Sequence, residues 1–346
     1  MIPPLPEGGR VFLTGGTGLV GSHLAEALRA NGFQVRALHR STSDTRFLSR
    51  LGCELVQGPL QSGRDAFRDW MEGCDAFVHS AANIYGRESW DGVREANVEA
   101  TRALLEGALQ AKLLRGVHLS TIAVYGSAPP PIDEETPLST PLGSREFYAR
   151  SKREAEEVVF QLPGQSQVAT TILRPSAIYG ERDRLFTPRL AAQLRLPVQF
   201  LPGGGESPLP LVYAGNVADA ILHLLRASRP RGVRVYNVAG DEPTSQREVL
   251  SSLAQATGLP FRPLTVPPRL ALGAASLAEW LGLRIPGAGE LSLRRAIQLA
   301  VTPNPYQTQR LRTELGWAPR IGREEALART GRWLAGELQR SGGPTA

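Results

Sequence analysis

Through the first half of the chain, short runs of branched and apolar residues alternate with helical patterns. This rhythm limits the possible folds more than any other feature of the sequence. Arg10–Thr14, Gln34–Leu38, Glu54–Gln57, Ala76–His79, Val117–Ser120 and Thr170–Leu173 read as strands. Between the first two, Val20, Leu24 and Leu28 recur every fourth residue, with Gly32 as the stop signal. Parallel strands need long crossovers and helices supply them, so the alternation predicts a doubly wound α/β fold, a parallel sheet covered on both faces. Ligands of such sheets bind beyond the carboxyl ends of the strands. After Pro175 the rhythm breaks; one helix returns at Asn216–Ala227 and one strand at Val233–Val238, and the rest is mostly helical, cut by Pro267, Pro268, Pro286, Pro303 and Pro305. The expected division is a sheet domain over 1–174, rejoined by 211–240, and a smaller, mostly helical lobe from 175–210 and 241–346.

The turn after the first strand reads Thr14-Gly15-Gly16-Thr17-Gly18-Leu19-Val20-Gly21 and runs directly into the first helix. Gly15 permits a tight turn, Gly18 lets the backbone approach a pyrophosphate, and Gly21 allows close helix–strand packing. The start of the helix, with Thr17, Leu19 and Val20, offers free N–H groups to phosphate. The spacing is G-x-x-G-x-x-G, so the turn differs in detail from the usual dinucleotide fingerprint. At the end of the second strand, a cofactor without a 2′-phosphate usually meets a carboxylate. Here Leu38-His39-Arg40 stands there, with no acid before Asp44. Arg40 is placed to grip a 2′-phosphate, with His39 or Ser41 assisting, so NADP is expected in preference to NAD.

Of 39 basic residues only Lys112 and Lys152 are lysine. A lysine kept against that bias marks a place where an ammonium differs from a guanidinium. Lys152 follows Tyr148 by four residues in a helical run, so the two side chains share a face. A phenol of pKa about 10 is a poor base near neutrality, and an ammonium beside it is expected to favour phenolate and bring that value down. Strand five should carry Ser120 and Thr121 to the carboxyl edge, where a hydroxyl can hold a substrate carbonyl oxygen.

With His79-Ser80-Ala81-Ala82, Asn97-Val98-Glu99-Ala100-Thr101, Ser120–Gly126, Leu173-Arg174-Pro175, Asn216-Val217-Ala218-Asp219-Ala220 and Leu315-Gly316-Trp317-Ala318-Pro319, the chain resembles the extended short-chain dehydrogenase/reductase family, also called the NAD-dependent epimerase/dehydratase family. The resemblance implies an NAD(P)-binding Rossmann domain and a smaller substrate lobe. It implies that Tyr148 is the acid/base, Lys152 the ribose-binding lysine and Thr121 the catalytic hydroxyl. Beneath the cofactor it places His79, Ala81 and Ala82, with Asn97 and Ser120 also near it and Pro175 and Ser176 facing the nicotinamide. The chain departs from the pattern at Gly58-Pro59-Leu60, where family members often have Gly-Asp-Leu; adenine is then left to packing, with Leu60 in contact, or to another group. Ile122-Ala123 replaces the Asp-Glu of dehydratases, which argues against sugar dehydration.

Nucleotide-sugar members hold a diphosphate with amide and Arg-Asp donors. This chain has Leu173-Arg174-Pro175 and Ser207-Pro208-Leu209-Pro210-Leu211-Val212 in their place. Further apolar residues follow at Leu270, Leu272, Leu277, Trp280, Leu281, Leu283, Leu291, Leu293, Ile297, Leu299 and Val301. This layout is similar to the 3-beta-hydroxysteroid dehydrogenase-like branch, whose substrates are apolar alcohols and ketones. The leading expectation is hydride transfer between NADP(H) and a ketone or secondary alcohol. The alternatives are a nucleotide-sugar epimerase with tightly held NAD and a dinucleotide-sensing protein without chemistry. The resemblance also implies a homodimer.

Composition narrows the partners. The net charge is +6, but no Lys/Arg cluster is interleaved with stacking aromatics, so no nucleic acid is expected. Cys53 and Cys74 make no disulfide framework and lack metal-ligand spacing, which points to a reducing cytoplasm and to no metal. Met1–Gly9 lacks the apolar core of a signal peptide. Leu270–Leu283, broken by Glu279, is too short to cross a bilayer; contact with a membrane surface stays open.

Overall fold

The computed structural model describes residues 1–84, 89–144, 146–162, 167–240, 242–280, 293–302 and 304–340. Strand–helix steps lay down the sheet in chain order: β1 (Arg10–Thr14), α1 (Leu19–Ala30), β2 (Gln34–His39), α2 (Arg46–Arg50), β3 (Glu54–Gln57), α3 (Arg64–Trp70), β4 (Ala76–His79), α4 (Trp90–Arg94), α5 (Ala100–Gln110), β5 (Arg115–Leu119), α6 (Phe147–Gln161) and β6 (Ala169–Pro175). A further strand, Gly232–Val238, joins the edge beside β6. The sheet runs Gly232–Val238, β6, β5, β4, β1, β2, β3, and every neighbouring pair is parallel. The order therefore reverses between β1 and β4, where Thr14 lies beside His79. A parallel sheet opens a crevice at such a reversal, beyond the carboxyl ends of its strands.

Burial explains the composition of the strands. Phe12 of β1 and Phe77 of β4 are fully buried, and β5 and β6 are buried along their whole length. Phe12, Phe67, Phe77, Leu104, Val159 and Ile172 belong to one core cluster that ties α3, α5 and α6 to the sheet. A strand with helices on both faces has no solvent side, which is why even the polar His118, Thr170, Thr171 and Arg174 of these strands are buried.

The chain forms two compact units. The first comprises Met1–Ser176, Gly215–Val238 and Gln307–Ala318 and contains the sheet. The second comprises Ala177–Ala214, Ala239–Tyr306 and Pro319–Ala346. Its described helices are Phe186–Leu194, Gln246–Thr257, Pro268–Trp280, Leu293–Val301 and Arg323–Arg340. Its core joins Leu194, Leu201, Leu250, Leu253, Leu327 and Leu334.

Residues 307–318 differ from the sequence-based division, which assigned them to the lobe. They pack with the sheet unit because the Trp317 indole donates to Asp219 at 2.9 Å and the Tyr236 hydroxyl to Glu314 at 2.7 Å. Of the apolar positions singled out near the C-terminus, Leu281, Leu283 and Leu291 lie outside the described residues, as do Pro286, Pro303 and the side chains of Trp280, Leu293 and Leu299. Leu270 and Leu277 are exposed. No helix among the described residues is long and apolar enough to cross a membrane.

Candidate active site

The loop between β1 and α1 is built around two close approaches. Gly15 has φ +75, and a Cβ there would lie 2.7 Å from the Ala81 nitrogen. At Gly21 a Cβ would fall 2.1 Å from the Gly15 carbonyl oxygen, so the first turn of α1 lies directly on the loop. The Gly18 N–H closes the turn on the Gly15 carbonyl at 2.9 Å. Gly18 is also the N-cap of α1 and supplies no side-chain cap. The N–H groups of the first helical turn therefore point outward without a side-chain acceptor, beside the positive end of the helix dipole. Thr17 and Leu19 are half-buried and Val20 is buried at this turn.

Beyond β2, Arg40 is exposed, and no carboxylate among the described residues pairs with its guanidinium. Asp44, the first acid after the strand, is held by both Nε and Nη2 of Arg46 at 2.9 and 2.6 Å. His39 keeps Nδ1 within 3.0 Å of the Arg40 carbonyl. Leu60 is half-buried and packs against the core cluster alongside Trp70. These groups fit a dinucleotide: an uncapped helix end for pyrophosphate and an unpaired guanidinium for an added phosphate. Farther along, Ser176 follows Pro175 at the end of β6; its Oγ is buried without a partner among the described residues.

Thr121, Tyr148 and Lys152 meet at the exit of β5. Thr121 leaves the strand in extended conformation, and its Oγ accepts from the Ala123 N–H at 3.2 Å. Its side chain is hydrogen-bonded to that of Tyr148. Lys152 is 2% exposed, and its Nζ donates to the Leu119 carbonyl at 2.7 Å. The electrostatics correct one expectation. Burial pushes the Tyr148 phenol up to about 12, the Thr121 bond opposing it. The ammonium was expected to bring the phenol down; instead Lys152 is turned to a backbone carbonyl and is itself drawn down to about 8 by burial, with Glu156 opposing. Near neutrality the phenol keeps its proton, which suits a general acid.

Three side chains expected to face a cofactor are committed to the protein itself. Ser120 Oγ donates to Glu156 Oε1 at 2.5 Å. Asn97, in a π-helical turn at Glu95–Glu99, uses both amide hydrogens, on the Asn83 carbonyl at 3.0 Å and Ser151 Oγ at 2.9 Å. The Asn97 Oδ1 accepts from the Asn83 N–H at 2.7 Å. His79 is engaged at both nitrogens, by Thr14 at 2.7 Å and Thr101 at 3.0 Å. Since Thr101 donates its own proton to the Asn97 carbonyl, His79 donates from Nε2 and accepts at Nδ1. The donor hydrogens of all three are thus spent within the protein, and His79 has no acceptor nitrogen left for a cofactor. Ala81 and Ala82 are half-buried just beyond His79, and the Ala81 N–H reaches Thr14 Oγ1 at 3.3 Å.

Sequence reasoning passed over Glu156 and Arg174 as site residues. Their buried pair joins α6 to β6 beside Ser120. The available signal was the four-residue step from Lys152 to Glu156.

Comparison with known proteins places the chain among relatives of one kind. The NAD dependent epimerase/dehydratase family matches residues 11–239. A 4-hydroxy-2-methyl-3-oxo-4-farnesyl-3,4-dihydroquinoline-1-oxide ketoreductase from Stigmatella aurantiaca is 33% identical over 92% of this chain and 94% of its own length. A 2-alkyl-3-oxoalkanoate reductase from Stenotrophomonas maltophilia is 29% identical over 92% of this chain and 98% of its own. Among solved structures, MoeE5 in complex with UDP-glucose and NAD superposes with a TM-score of 0.70 at 28% identity, covering 95% of this chain and all of the other.

Proposed function

This chain belongs to the NAD-dependent epimerase/dehydratase family, and from that premise we propose that it is an NADP(H)-dependent reductase/dehydrogenase acting on a ketone or secondary alcohol of apolar character. The observation that carries the reading is the meeting of Thr121, Tyr148 and Lys152 at the exit of β5. The nicotinamide, when bound, supplies or accepts the hydride. Thr121 and Tyr148 offer hydroxyls to the substrate oxygen, and Tyr148 gives its proton to that oxygen as negative charge builds there. The Lys152 ammonium, on the same helix face and held by the Leu119 carbonyl, is left to meet the cofactor ribose, and the phenolate regains a proton from solvent.

A phenol held near 12 is protonated at neutral pH, the state that ketone reduction starts from. Support for NADP comes from Arg40, which no carboxylate pairs among the described residues, and from the lack of an acid between it and Asp44 in the sequence. Support for an apolar ketone comes from Ser207–Val212 and from the two relatives, whose names each carry a 3-oxo group and a hydrocarbon chain. Cys53 and Cys74 are both unpaired, which fits a reducing cytoplasm.

The test is NADPH consumption against a series of 3-oxo compounds of increasing alkyl length, for the wild type and Tyr148→Phe. The variant should bind NADPH within about twofold of wild type and lose about 10²–10⁴ in turnover, the usual contribution of a general acid. Full turnover by Tyr148→Phe dismisses the mechanism. Substrate conversion without net NADPH consumption points instead to an epimerase.

A further inference from the structure

Helix α6 presents more than a phenol and an ammonium to β5. Tyr148, Lys152 and Glu156 follow one another at four-residue steps, so they share one face. Each engages a different one of three consecutive residues at the strand exit. Tyr148 bonds Thr121, Lys152 Nζ donates to the Leu119 carbonyl at 2.7 Å, and Ser120 Oγ donates to Glu156 Oε1 at 2.5 Å. From the neighbouring strand, Arg174 donates through Nε to Glu156 Oε1 at 3.0 Å and through Nη2 to Oε2 at 2.5 Å. The Arg174 and Glu156 side chains are 4% and 2% exposed. Arg174 Nη1 donates to the Tyr125 hydroxyl at 2.7 Å, and that hydroxyl donates to Asn237 Oδ1 at 2.8 Å.

We propose, resting on the functional reading above, that Glu156 clamped by Arg174 is a positioning residue for the hydride-transfer reaction, fixing helix α6 in register along the end of β5 and with it the approach of Tyr148 and Lys152 to the reacting carbonyl. Fold stability alone does not require such a pair. Burying two charges is costly, and apolar residues of similar volume hold helix to strand at least as well. They supply neither a directional anchor nor a negative charge one turn from Lys152. The groups facing Lys152 are Tyr148 and Glu156 on its own helix, His79 from β4 and His118 from β5, with Arg174 of β6 reaching it through Glu156. Burial holds both imidazoles neutral, His79 down at about 3 and His118 well below its ordinary value. Glu156 is the carboxylate in this set, and it favours the charged form of Lys152 against burial.

The scarcity of lysine makes the clamp directly measurable. With only Lys112 and Lys152 in the chain, carbon-13 labelling at lysine Cε gives two resonances, Lys112 serving as the reference. The variants are Glu156→Gln, Glu156→Asp, and the double variant Glu156→Gln/Arg174→Gln. The double variant removes the Arg174 charge that Glu156→Gln alone leaves unpaired, and covers the case in which the single variant does not fold. In the folded Gln variants the Lys152 midpoint should move to lower pH by about one pH unit or more. Ketone reduction should slow by about tenfold or more, as expected for a misplaced catalytic group. The alkaline decline in rate should begin at lower pH, NADPH affinity should stay within about twofold, and Glu156→Asp should recover part of the rate. A folded Gln variant in which either the Lys152 midpoint or the reduction rate is unmoved overturns the proposal. If the wild-type chain reduces no ketone at all, the functional reading fails instead, and the lysine resonance still reports whether Glu156 sets the charge on Lys152.

Discussion

The proposed preference for NADP rests on charge at single positions. A 2′-phosphate adds two negative oxygens at the end of β2, where Arg40 has no carboxylate partner among the described residues and Asp44 is already held by Arg46. Charge-assisted bonds to a phosphate contribute about 1.5–3 kcal/mol each when formed in good geometry. Solvent around Arg40 places the benefit at the low end of that range. Arg40→Glu should therefore weaken NADPH binding by about tenfold or more, because it removes the attraction and adds repulsion. NADH binding should hold steady or improve, since a carboxylate there can accept from ribose hydroxyls. Calorimetric titration with both dinucleotides checks this; equal losses for the two would mean that Arg40 does not discriminate.

At the scale of elements, the first strand–turn–helix unit has the least freedom. The Gly15 carbonyl lies where a Cβ on Gly21 would sit, 2.1 Å away. Backbone cannot yield as a side chain can, so Gly21→Ala should shift the start of α1 off the turn. Overpacking of this kind costs about 1–3 kcal/mol, and dinucleotide affinity should fall with it. Ser245→Ala is the matched control. It removes a capping box with Glu248 in the second unit and should cost about 1 kcal/mol in urea titrations. Dinucleotide affinity in Ser245→Ala should stay unchanged, and a Gly21→Ala chain that also binds normally would show the turn to be no cradle. Such units are readable in sequence because their signals are local. Arg10–Thr14, Glu54–Gln57 and Ala76–His79 are read to the residue, and the other strands of the sheet within two. Thr121, Tyr148 and Lys152 were readable for the same reason: a strand exit and a helical repeat place them. The partners of Ser120, Asn97 and His79 were not, because each comes from a distant part of the chain. Ser120 meets Glu156, Asn97 meets Ser151, and His79 meets Thr14 and Thr101. A strand-end hydroxyl looks the same in sequence whether it faces a ligand or a buried carboxylate.

For the whole molecule, the layer beneath the sheet's crevice couples folding to pH. His79 and His118 pack with ring centroids 5.4 Å apart, both fully buried on the side of the sheet that carries Lys152. Burial acts first in lowering both, and the charge of Lys152 adds to it. His79 falls to about 3 in the folded chain from the ordinary 6.5. In the unfolded chain these imidazoles take up protons as pH drops below 6.5, while in the folded chain they do not. Their contribution to stability is thus complete above that value and is lost progressively on acidification toward the folded-state value. His79 should cost the fold about 2 kcal/mol on going from pH 7 to pH 5, and His118 acts in the same direction. The two differ in their surroundings, since His79 is bonded at both nitrogens and neither nitrogen of His118 has a partner among the described residues. His118→Leu therefore removes a titrating group without breaking a hydrogen bond. Measured by urea unfolding, this variant should narrow the stability gap between pH 7 and pH 5. An unchanged gap would mean that His118 takes up a proton in the folded state, and the buried layer around Lys152 would then carry more positive charge than its packing allows.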